Sequence, residues 1–399
     1  MHDQLRERFE QHVAWTSDTP MGLVVDRAAG PFIYLKDGRK LIDLISGIAV
    51  SSIGHGHPAV VKAIQEQAER YLHVMVYGEF VQEPQVALAS LLAENLPPSL
   101  QMTYFTNSGT EANEGALKLA KKVTGRKRLV AFEGSYHGDT HGALSVTGRH
   151  VYQDPFRPLL PHVDFLAFDD DRVLEQIDRS TACVITEPVQ GEGGVNVPRV
   201  EWMRLLRKRC TETGALLIFD EVQTGFGRTG SLFAFERFGV VPDVLTLAKA
   251  FGGGMPLGAF VSSRERLETL RRDPPLSHVT TFGGHPVSCA AAHAALRVLL
   301  EEDLPARALE IEARIRTALH HPLIQEVRGL GAMLGMQLRD ADTTARVVGR
   351  CLEAGVLLGW TLHSNRLVRI APPLTIPFDV LDDACRTITR VLEAVSRPV

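Results

Sequence analysis

A lysine stands at an unusual place in this sequence, between an apolar segment and a run of glycines. Residues 243–254 read DVLTLAKAFGGG, so that Lys249 follows Leu247 and Ala248. Lysine is seldom buried unless it is paired, and most lysines at such places extend the amine into water. An amine held in a dry cleft, in contrast, has a lowered pKa and can form an imine with a carbonyl compound. The position therefore allows two interpretations, a solvated strand end or a nucleophilic amine.

Carboxylates also stand where apolar segments end. In ALLIFDEVQTGFGRTG (215–230), Asp220 follows a predicted buried strand, at the edge where α/β proteins bind ligands, and it could pair with a cationic ring nitrogen. In CVITEPVQGEGGV (183–195), Glu187 ends another strand and Glu192 lies in a glycine-rich loop. Each acid can instead be a solvated loop residue. Glycoside chemistry between two acids would need a general-acid pocket, which a sequence does not show.

A third segment, YFTNSGTEANEGALKLAKK (104–122), runs from a predicted strand directly into a helix. A helix start offers unpaired backbone N–H groups, and a glycine such as Gly109 lets an anion approach them. Ser108 and Thr110 would add hydroxyl donors. The alternative is a capping box, in which Ser108 and Glu111 satisfy the helix end without a ligand.

Several other kinds of chemistry are excluded or disfavoured by the sequence. A Walker A loop, a GxSxG elbow and an HExxH pair are absent. The glycines of GFGRTG do not follow a strand directly, so a dinucleotide site is disfavoured. The five cysteines are scattered without a CxxC pair, which favours reduced thiols in a cytoplasmic protein and no metal site.

Charge and composition limit the partners of the chain. A net charge of −4 gives no electrostatic case for binding nucleic acid or an anionic membrane. The first residues, MHDQLRERFEQHVAW, are too polar for a signal peptide, and no apolar run reaches the ~18 residues that span a bilayer. We therefore expect a cytoplasmic protein that acts on small molecules.

The elements that must position these groups form an alternating pattern of strands and helices. Strands buried on both faces and separated by helices predict an α/β fold with a mostly parallel sheet. Helices are predicted after residue 108 and over 200–213. The predicted strands are MTYFT (102–106), RLVAF (128–132), VDFLAF (163–168), ACVIT (182–186), ALLIF (215–219), VLTLA (244–248) and GAFVS (258–262).

The length of 399 residues predicts two domains, since single cores stop growing at ~250–300 residues. A turn-rich stretch, RRDPPLSHVTTFGGHP (271–286), ends the alternating pattern. We predict a large domain over 53–284 and a smaller α+β domain over 285–399. Residues 1–52, with two strands joined by the turn KDGR, are predicted to pack with the smaller domain.

Taken together, these segments resemble the class III aminotransferases, which are pyridoxal-phosphate enzymes of fold type I. The family includes acetylornithine, ornithine and 4-aminobutyrate aminotransferases. The resemblance runs from about Gly30 to Ile376. The motifs that carry it are SGTEANEGALKLA, YHG, EPVQGEGG, FDEVQTGFGRTG, PDVLTLAKAFGGGMPLGA and TTFGGHPVSCAAA.

The resemblance implies a large domain with a seven-stranded sheet and a role for each matching residue. Lys249 would form the imine with pyridoxal 5'-phosphate and move the substrate proton. Asp220 would pair with the pyridine nitrogen and keep the ring an electron sink, and Gln223 would lie near the ring hydroxyl. Other residues would surround the cofactor: Ser108, Gly109 and Thr110 at the phosphate, Tyr136 stacked on the ring, and His137 and Glu187 beside it.

The resemblance also implies partners and substrates. Thr281 resembles the residue that reaches the phosphate of the neighbouring subunit, which implies a homodimer with shared active sites. Arg369 would bind the α-carboxylate of glutamate or 2-oxoglutarate, a contact that suits a guanidinium group. Glu192 would pair with this arginine and swing away, so that one site accepts two substrates. This arrangement favours the terminal (ω) amine of the donor as the reacting group.

One residue departs from the pattern of acetylornithine and ornithine enzymes. They have HGR where this sequence has HGD, with Asp139 in place of an arginine that holds the donor carboxylate. An acid would repel a carboxylate and could attract an amine. HGD is more similar to members that act on diaminopelargonate or simple amines. The donor therefore stays open between these groups, and an aminomutase or decarboxylase on the same fold is the nearest alternative.

Overall fold

The computed structural model describes residues 2–76 and 78–397. Within these residues, no helix combines the length and apolar character needed to cross a membrane. The strands are β1 (Val25–Ala29), β2 (Phe32–Leu35), β3 (Lys40–Asp43), β4 (Met102–Thr106), β5 (Arg128–Phe132), β6 (Val163–Leu166), β7 (Thr181–Thr186), β8 (Leu216–Asp220), β9 (Val244–Leu247), β10 (Gly258–Ser262), β11 (Ile324–Leu330), β12 (Met333–Leu338), β13 (Val356–Leu357), β14 (Gly359–Thr361) and β15 (Ser364–Ile370). The helices are α1 (His2–His12), α2 (Ser46–Ala49), α3 (Pro58–Arg70), α4 (Glu83–Glu94), α5 (Gly109–Thr124), α6 (His141–Ser145), α7 (His150–Gln153), α8 (Val200–Thr213), α9 (Phe235–Phe238), α10 (Arg264–Glu268), α11 (Pro286–Glu301), α12 (Leu304–Ala318), α13 (Ala341–Glu353) and α14 (Phe378–Ser396), with short 3-10 helices at Asp154–Phe156, Asp171–Gln176, Lys249–Gly252 and Thr269–Arg271.

The central sheet has seven strands in the order β4-β10-β9-β8-β7-β5-β6. Strand β10 runs antiparallel to both of its neighbours, and the remaining pairs are parallel. The predicted α/β fold with a mostly parallel sheet is therefore confirmed. Strands β7, β8 and β9 are buried along their whole length, which is why they appear in the sequence as continuous apolar runs.

The register of the central sheet brings the ends of β8 and β9 together. Asp220, the last residue of β8, pairs with Thr246 of β9. Lys249 lies three residues beyond Thr246, at the start of the 3-10 helix that follows β9. The parallel sheet thus places a carboxylate and an amine at the same edge, where α/β proteins bind ligands.

Helix α5 points its N-terminus at this edge. It begins directly after β4, with Ser108 as the N-cap residue, and it ends at Gly125 in the left-handed conformation. It packs closely against the sheet, because a Cβ atom at Gly115 would lie 2.3 Å from the Phe260 ring of β10. This close packing fixes where the free N–H groups of the helix start are held.

The described residues also form two smaller sheets, each of four strands. Strands β1, β2 and β3 are joined by β13 from the C-terminal part, where Val356 pairs with Ile42. The other small sheet has the order β11-β12-β15-β14. The N-terminal strands thus share a sheet with a C-terminal strand, an arrangement consistent with the predicted packing of the two chain ends. The domain boundaries at residues 52 and 284 stay predictions.

Candidate active site

A cavity of about 660 Å³ opens at the carboxyl edge of the central sheet. Asn107, Asn113, Val222 and Met255 also line it. Three predicted site residues do not line it, namely Glu192, Arg369 and Thr281. The predicted residues that do are Ser108, Gly109, Thr110, Tyr136, His137, Asp139, Glu187, Asp220, Gln223 and Lys249.

Lys249 lies half-buried against this cavity, with its backbone in the left-handed region at φ 53°. A non-glycine residue in this region is uncommon and is found where the surrounding structure holds it in place. Burial lowers the pKa of the Lys249 amine, and the charges of Glu192 and Asp220 oppose this effect. The lowered pKa brings the amine closer to its neutral, nucleophilic form.

Asp220 is buried and held by three hydrogen-bond donors. Its Oδ2 accepts from Asn113 Nδ2 at 2.8 Å and pairs with His137 Nδ1 at 2.7 Å, and its Oδ1 accepts from the Val222 N–H at 3.0 Å. These donors fix the carboxylate at the edge of the cavity.

Asn113 is a site residue that the sequence analysis missed. It is fully buried on α5, where it donates to Asp220 and to the His137 carbonyl and accepts from Thr246 Oγ1. The signal was present, because an asparagine on an apolar helix face needs buried partners. The sequence does not show that the partner is Asp220, which lies 107 residues away.

His137 adds a constraint on the protonation of this cluster. Its Nε2 atom is buried and has no hydrogen-bond partner among the described residues. A proton on Nε2 would be a buried donor without an acceptor, which is costly. The geometry therefore favours the tautomer in which Nδ1 carries the proton and donates it to Asp220.

The start of α5 has features of both interpretations of its sequence, an anion site and a capping box. Ser108 Oγ accepts from the Glu111 N–H at 3.3 Å, as in a capping box. Glu111 Oε2, however, accepts from the Asn107 N–H at 2.7 Å rather than from Ser108, so the box is only half formed. The N–H groups of Gly109 and Thr110 open the helix and have no preceding turn to bind. A Cβ atom at Gly109 would lie 2.8 Å from Val222 Cγ1, so only glycine fits there.

The Thr110 hydroxyl differs from the expectation of a free donor. Thr140 Oγ1 donates to Glu114 Oε1 at 2.6 Å, and a hydroxyl has only one proton. The Thr110 hydroxyl must therefore be the donor in its 2.7 Å contact with Thr140. What Thr110 offers to an anion in this arrangement is its backbone N–H group.

Tyr136 and the two acids near it form one wall of the cavity. The Tyr136 hydroxyl donates to Asp139 Oδ2 at 2.7 Å, and its N–H donates to Glu187 Oε2 at 3.1 Å. Burial, together with the hydrogen bond to Asp139, raises the pKa of Tyr136. Burial also raises the pKa of Glu187 to about 7. Asp139 itself is exposed, so it is accessible to a substrate at the mouth of the cavity.

Arg369 and Glu192 form a buried ion pair behind the cavity wall. Arg369 Nη2 donates to Glu192 Oε1, and both side chains are less than 10% exposed, at 3% and 9%. Gln223 lines the cavity and also donates to Glu192 Oε1, at 3.2 Å. Burial opposes ionisation of Glu192, but the Arg369 charge and the Leu362 N–H lower its pKa below the ordinary value. The pair is thus connected to the cavity through Gln223.

Comparisons with known proteins agree with this geometry. The family model "Aminotransferase class-III" matches residues 13–392. The chain belongs to the class III aminotransferases. An acetylornithine aminotransferase of Methanopyrus kandleri is 42% identical over 387 residues, which are 96% of this chain and 97% of the relative. One from Methanosarcina mazei is 43% identical over 367 residues, 90% of this chain and 89% of the relative.

Solved structures of the family have the same fold. The ornithine aminotransferase of Toxoplasma gondii superposes with a TM-score of 0.92 at 31% identity, over 99% of this chain and 95% of the other. An amine transaminase from an uncultivated Pseudomonas species, in its PLP-bound form, gives a TM-score of 0.87 at 29% identity, over 96% of this chain and 97% of the other. The fold is therefore that of the fold type I transaminases.

As a class III aminotransferase, the chain uses pyridoxal 5'-phosphate, and the cavity fits this cofactor. The open N–H groups at Gly109 and Thr110 suit a phosphate group. The Asp220 carboxylate suits a protonated ring nitrogen, and Lys249 supplies an amine for the aldehyde. Among the described residues, no group of three or more His, Cys, Asp or Glu side chains is arranged to hold a metal ion.

The loop that carries Gln223 depends on a buried acid, Glu221. Its Oε2 accepts from the Ala234 N–H at 2.6 Å and its Oε1 from the Phe235 N–H at 2.8 Å. Burial raises the pKa of Glu221 to about 8. We expect Glu221→Gln to lower the free energy of unfolding by about 1–3 kcal/mol at pH 6, where the acid is neutral, because the new NH2 group faces a backbone N–H. Above pH 8 the difference should shrink, since a raised pKa makes the ionised acid less stable in the folded protein. Urea denaturation measures this change.

Glu236→Gln is the matched control for this substitution. Glu236 Oε1 accepts from the Phe233 N–H at 3.2 Å, and a glutamine oxygen can keep that bond. We expect a loss well below that of Glu221→Gln. Equal losses in the two variants would contradict the structural role of Glu221.

Proposed function

We propose that the chain is an aminotransferase that moves the terminal amine of an amino acid to 2-oxoglutarate and produces glutamate. N-acetylornithine, ornithine and 4-aminobutyrate are the candidate donors. The observation that carries the proposal is the buried Arg369–Glu192 pair, which Gln223 connects to the cavity. The names of the relatives from Methanopyrus and Methanosarcina support the same class of donor.

We assign the chemical roles to the residues at the carboxyl edge of the sheet. Pyridoxal 5'-phosphate, when bound, supplies an aldehyde and an electron-withdrawing ring. Lys249 would bind the aldehyde and would then accept and return the substrate proton, a role that a lowered pKa favours. Asp220 would keep a positive charge on the ring nitrogen. Gln223 would lie near the ring hydroxyl, and Tyr136, His137 and Glu187 would fix the position of the ring.

Arg369 and Glu192 give one site two binding modes. When they are paired, the site is electrically neutral there and admits the uncharged chain of a terminal amine donor. When Glu192 moves away, Arg369 is free to bind the α-carboxylate of 2-oxoglutarate or glutamate through two parallel hydrogen bonds. The same cavity can then serve both halves of the reaction.

A donor panel tests the proposal. N-acetylornithine, ornithine, 4-aminobutyrate, lysine and diamines are each incubated with 2-oxoglutarate or with pyruvate, and glutamate and alanine are measured. The proposal requires glutamate from at least one terminal amine donor. Conversion of a donor without any glutamate or alanine would favour the alternative, an aminomutase or a decarboxylase.

Asp139 favours a second candidate function, transfer from amines, diamines or diaminopelargonate-type donors. It lies at the exposed mouth of the cavity and carries the opposite charge to an arginine. We expect Asp139→Arg to raise kcat/KM for N-acetylornithine about tenfold, because a like-charge contact becomes an attractive one. Steady-state kinetics with N-acetylornithine and a diamine measure the change.

Asp139→Asn is the control, because it removes the repulsion without adding attraction. We expect it to give a smaller gain than arginine for N-acetylornithine and a loss for the diamine. An unchanged donor profile in both variants would show that Asp139 does not face the substrate.

We further propose a homodimer with shared active sites in the cytoplasm. Thr281 does not line the cavity of its own chain and is exposed, as a residue that serves a neighbouring subunit should be. Large apolar side chains are exposed in the surrounding segments, and burial against a second copy would remove them from water. They include Leu72, Phe80, Val81, Leu276, Val279 and Phe282. The molecular mass in solution tests this assembly.

A further inference from the structure

A β-hairpin turn from the C-terminal sheet lies directly against the Glu192 side chain. The hairpin tip, residues 361–364, connects β14 to β15. The Leu362 N–H donates to Glu192 Oε2 at 2.7 Å. The next amide, that of His363, donates to the Glu192 backbone carbonyl at 3.2 Å. The carboxylate that pairs with Arg369 therefore has a second partner on the same β-sheet.

The other side of the hairpin tip is fastened to the segment around α7. Tyr152 donates its hydroxyl proton to the Leu362 carbonyl at 2.8 Å, and Arg149 Nη1 donates to the His363 carbonyl at 3.2 Å. The rings of Tyr152 and His363 are stacked, with centroids 5.4 Å apart. The peptide groups of Leu362 thus link Tyr152, through the tip, to Glu192.

Three hydrogen bonds hold the Glu192 carboxylate in place, and a fourth binds the Glu192 backbone carbonyl. Arg369 and Gln223 bind Oε1, and the Leu362 amide binds Oε2. Rotation of the side chain away from Arg369 removes both oxygens from these donors. The contact between the His363 amide and the Glu192 backbone carbonyl is independent of the side chain and can persist.

We propose that Glu192 and the hairpin tip together form a gate. The gate is closed when Glu192 pairs with Arg369 and open when Glu192 has moved away. The Leu362 amide holds the gate closed, and it loses its acceptor when a substrate carboxylate takes Arg369. Tyr152 is a positioning residue, because it fixes the Leu362–His363 peptide group, which is joined through the Leu362 Cα atom to the N–H that binds Glu192. This inference rests on the proposed function, in which Glu192 moves between the two halves of the reaction.

Tyr152→Phe removes one neutral hydrogen bond from the closed gate and keeps the stacked ring. We expect kcat/KM for the half-reaction with 2-oxoglutarate to rise about two- to tenfold, because a Leu362 N–H that Tyr152 no longer positions binds Glu192 more weakly, by at most the strength of one hydrogen bond. The half-reaction with the amine donor needs the closed gate. Because the closed gate remains the main state in this variant, we expect kcat/KM for the amine donor to change less than twofold. Single-turnover absorbance changes of the holoenzyme measure the two halves separately.

Tyr34→Phe is the matched control. The Tyr34 ring contacts the Arg27 guanidinium at 3.6 Å, and its hydroxyl has no hydrogen bond among the described residues. It lies on β2, away from the cavity lining. We expect both half-reactions of this variant to match those of the unmodified enzyme. Equal changes of both half-reactions in Tyr152→Phe would overturn the proposal.

Hydrogen–deuterium exchange gives a readout that does not depend on turnover. Glutarate, a dicarboxylate that cannot be aminated, is added to the holoenzyme, and its binding is established by competition with 2-oxoglutarate. We expect the Leu362 amide to exchange faster with glutarate bound, whereas amides near a ligand ordinarily become protected. Slower or unchanged exchange with bound glutarate would contradict the role of the tip. No turnover of 2-oxoglutarate by the unmodified enzyme would instead contradict the proposed function.

Discussion

Replacement of Lys249 by alanine is expected to lower kcat by about 10³-fold or more and to abolish the visible absorbance of the covalently bound cofactor. In the proposed mechanism, the variant would lose both the nucleophile for the aldehyde and the base for the substrate proton, and general base catalysis alone contributes about 10²–10⁴-fold. The cavity otherwise keeps its phosphate donors and Asp220, so that noncovalent cofactor binding should remain. Absorbance spectra and single-turnover kinetics measure the two effects.

Two further lysine variants complete this test. Lys249→Arg keeps a positive charge but cannot form an imine, and we expect it to be as inactive as alanine. Lys62→Ala removes an exposed lysine of α3, whose side chain is 74% exposed, and should leave turnover unchanged. Full absorbance and turnover in Lys249→Ala would exclude this lysine as the catalytic amine.

Asp220→Asn is expected to lower kcat by about 10²–10³-fold while the protein stays folded. An opposite charge within hydrogen-bond distance raises the pKa of a cationic group by about 1–3 pH units, and in the proposed site asparagine would remove this effect from the ring nitrogen. The new amide would also direct hydrogens at donors that now bind Asp220, namely Asn113 Nδ2 or the Val222 N–H. The absorbance maximum of the bound cofactor should shift as well, which provides a readout besides turnover.

Asp43→Asn is a closely matched control for this change. Asp43 is also buried, accepts from two backbone N–H groups, those of Ile45 and Ser46 at 2.8 Å, and pairs with His55 Nε2 at 2.8 Å. It does not line the cavity. We expect it to lower stability without changing the cofactor spectrum. If both variants lose activity equally, the loss at Asp220 is structural rather than electronic.

The central sheet could be predicted because its strands carry their signal in their own residues. Strand β8 is buried on both faces and is therefore a continuous apolar run that ends at an acid. The bounds of β6 were predicted two residues too long, since its partner β5 ends at Phe132, which pairs with Leu166. The antiparallel direction of β10 could not be predicted, because an apolar run has no signal for its orientation.

The edge strands of the C-terminal part were harder to predict. Strand β11 (Ile324–Leu330) has the sequence IQEVRGL, in which exposed polar residues interrupt the apolar ones. Strand β14 has only three residues and pairs only with β15. Neither was predicted from the sequence. The hairpin tip beside Glu192 comes directly after β14 in the chain. Because β14 was not predicted, the tip was not predicted either.

The residues of the candidate site also include some that the sequence could predict and some that it could not. Asp220 and Lys249 follow buried strands, and the geometry of a parallel sheet is enough to bring such residues to one edge. Their chemical roles stay predictions until they are measured. The contacts of Asn113 with Asp220 and of Leu362 with Glu192 join residues 107 and 170 positions apart, and only the folded structure shows them.

The covalent attachment of the cofactor tests the central claim most directly. Borohydride reduction of the holoenzyme, followed by proteolysis and mass spectrometry, locates the lysine that bonds the cofactor aldehyde. We expect a phosphopyridoxyl group on the peptide that contains Lys249. A label on a different lysine, or no label in a protein that retains bound cofactor, would contradict it.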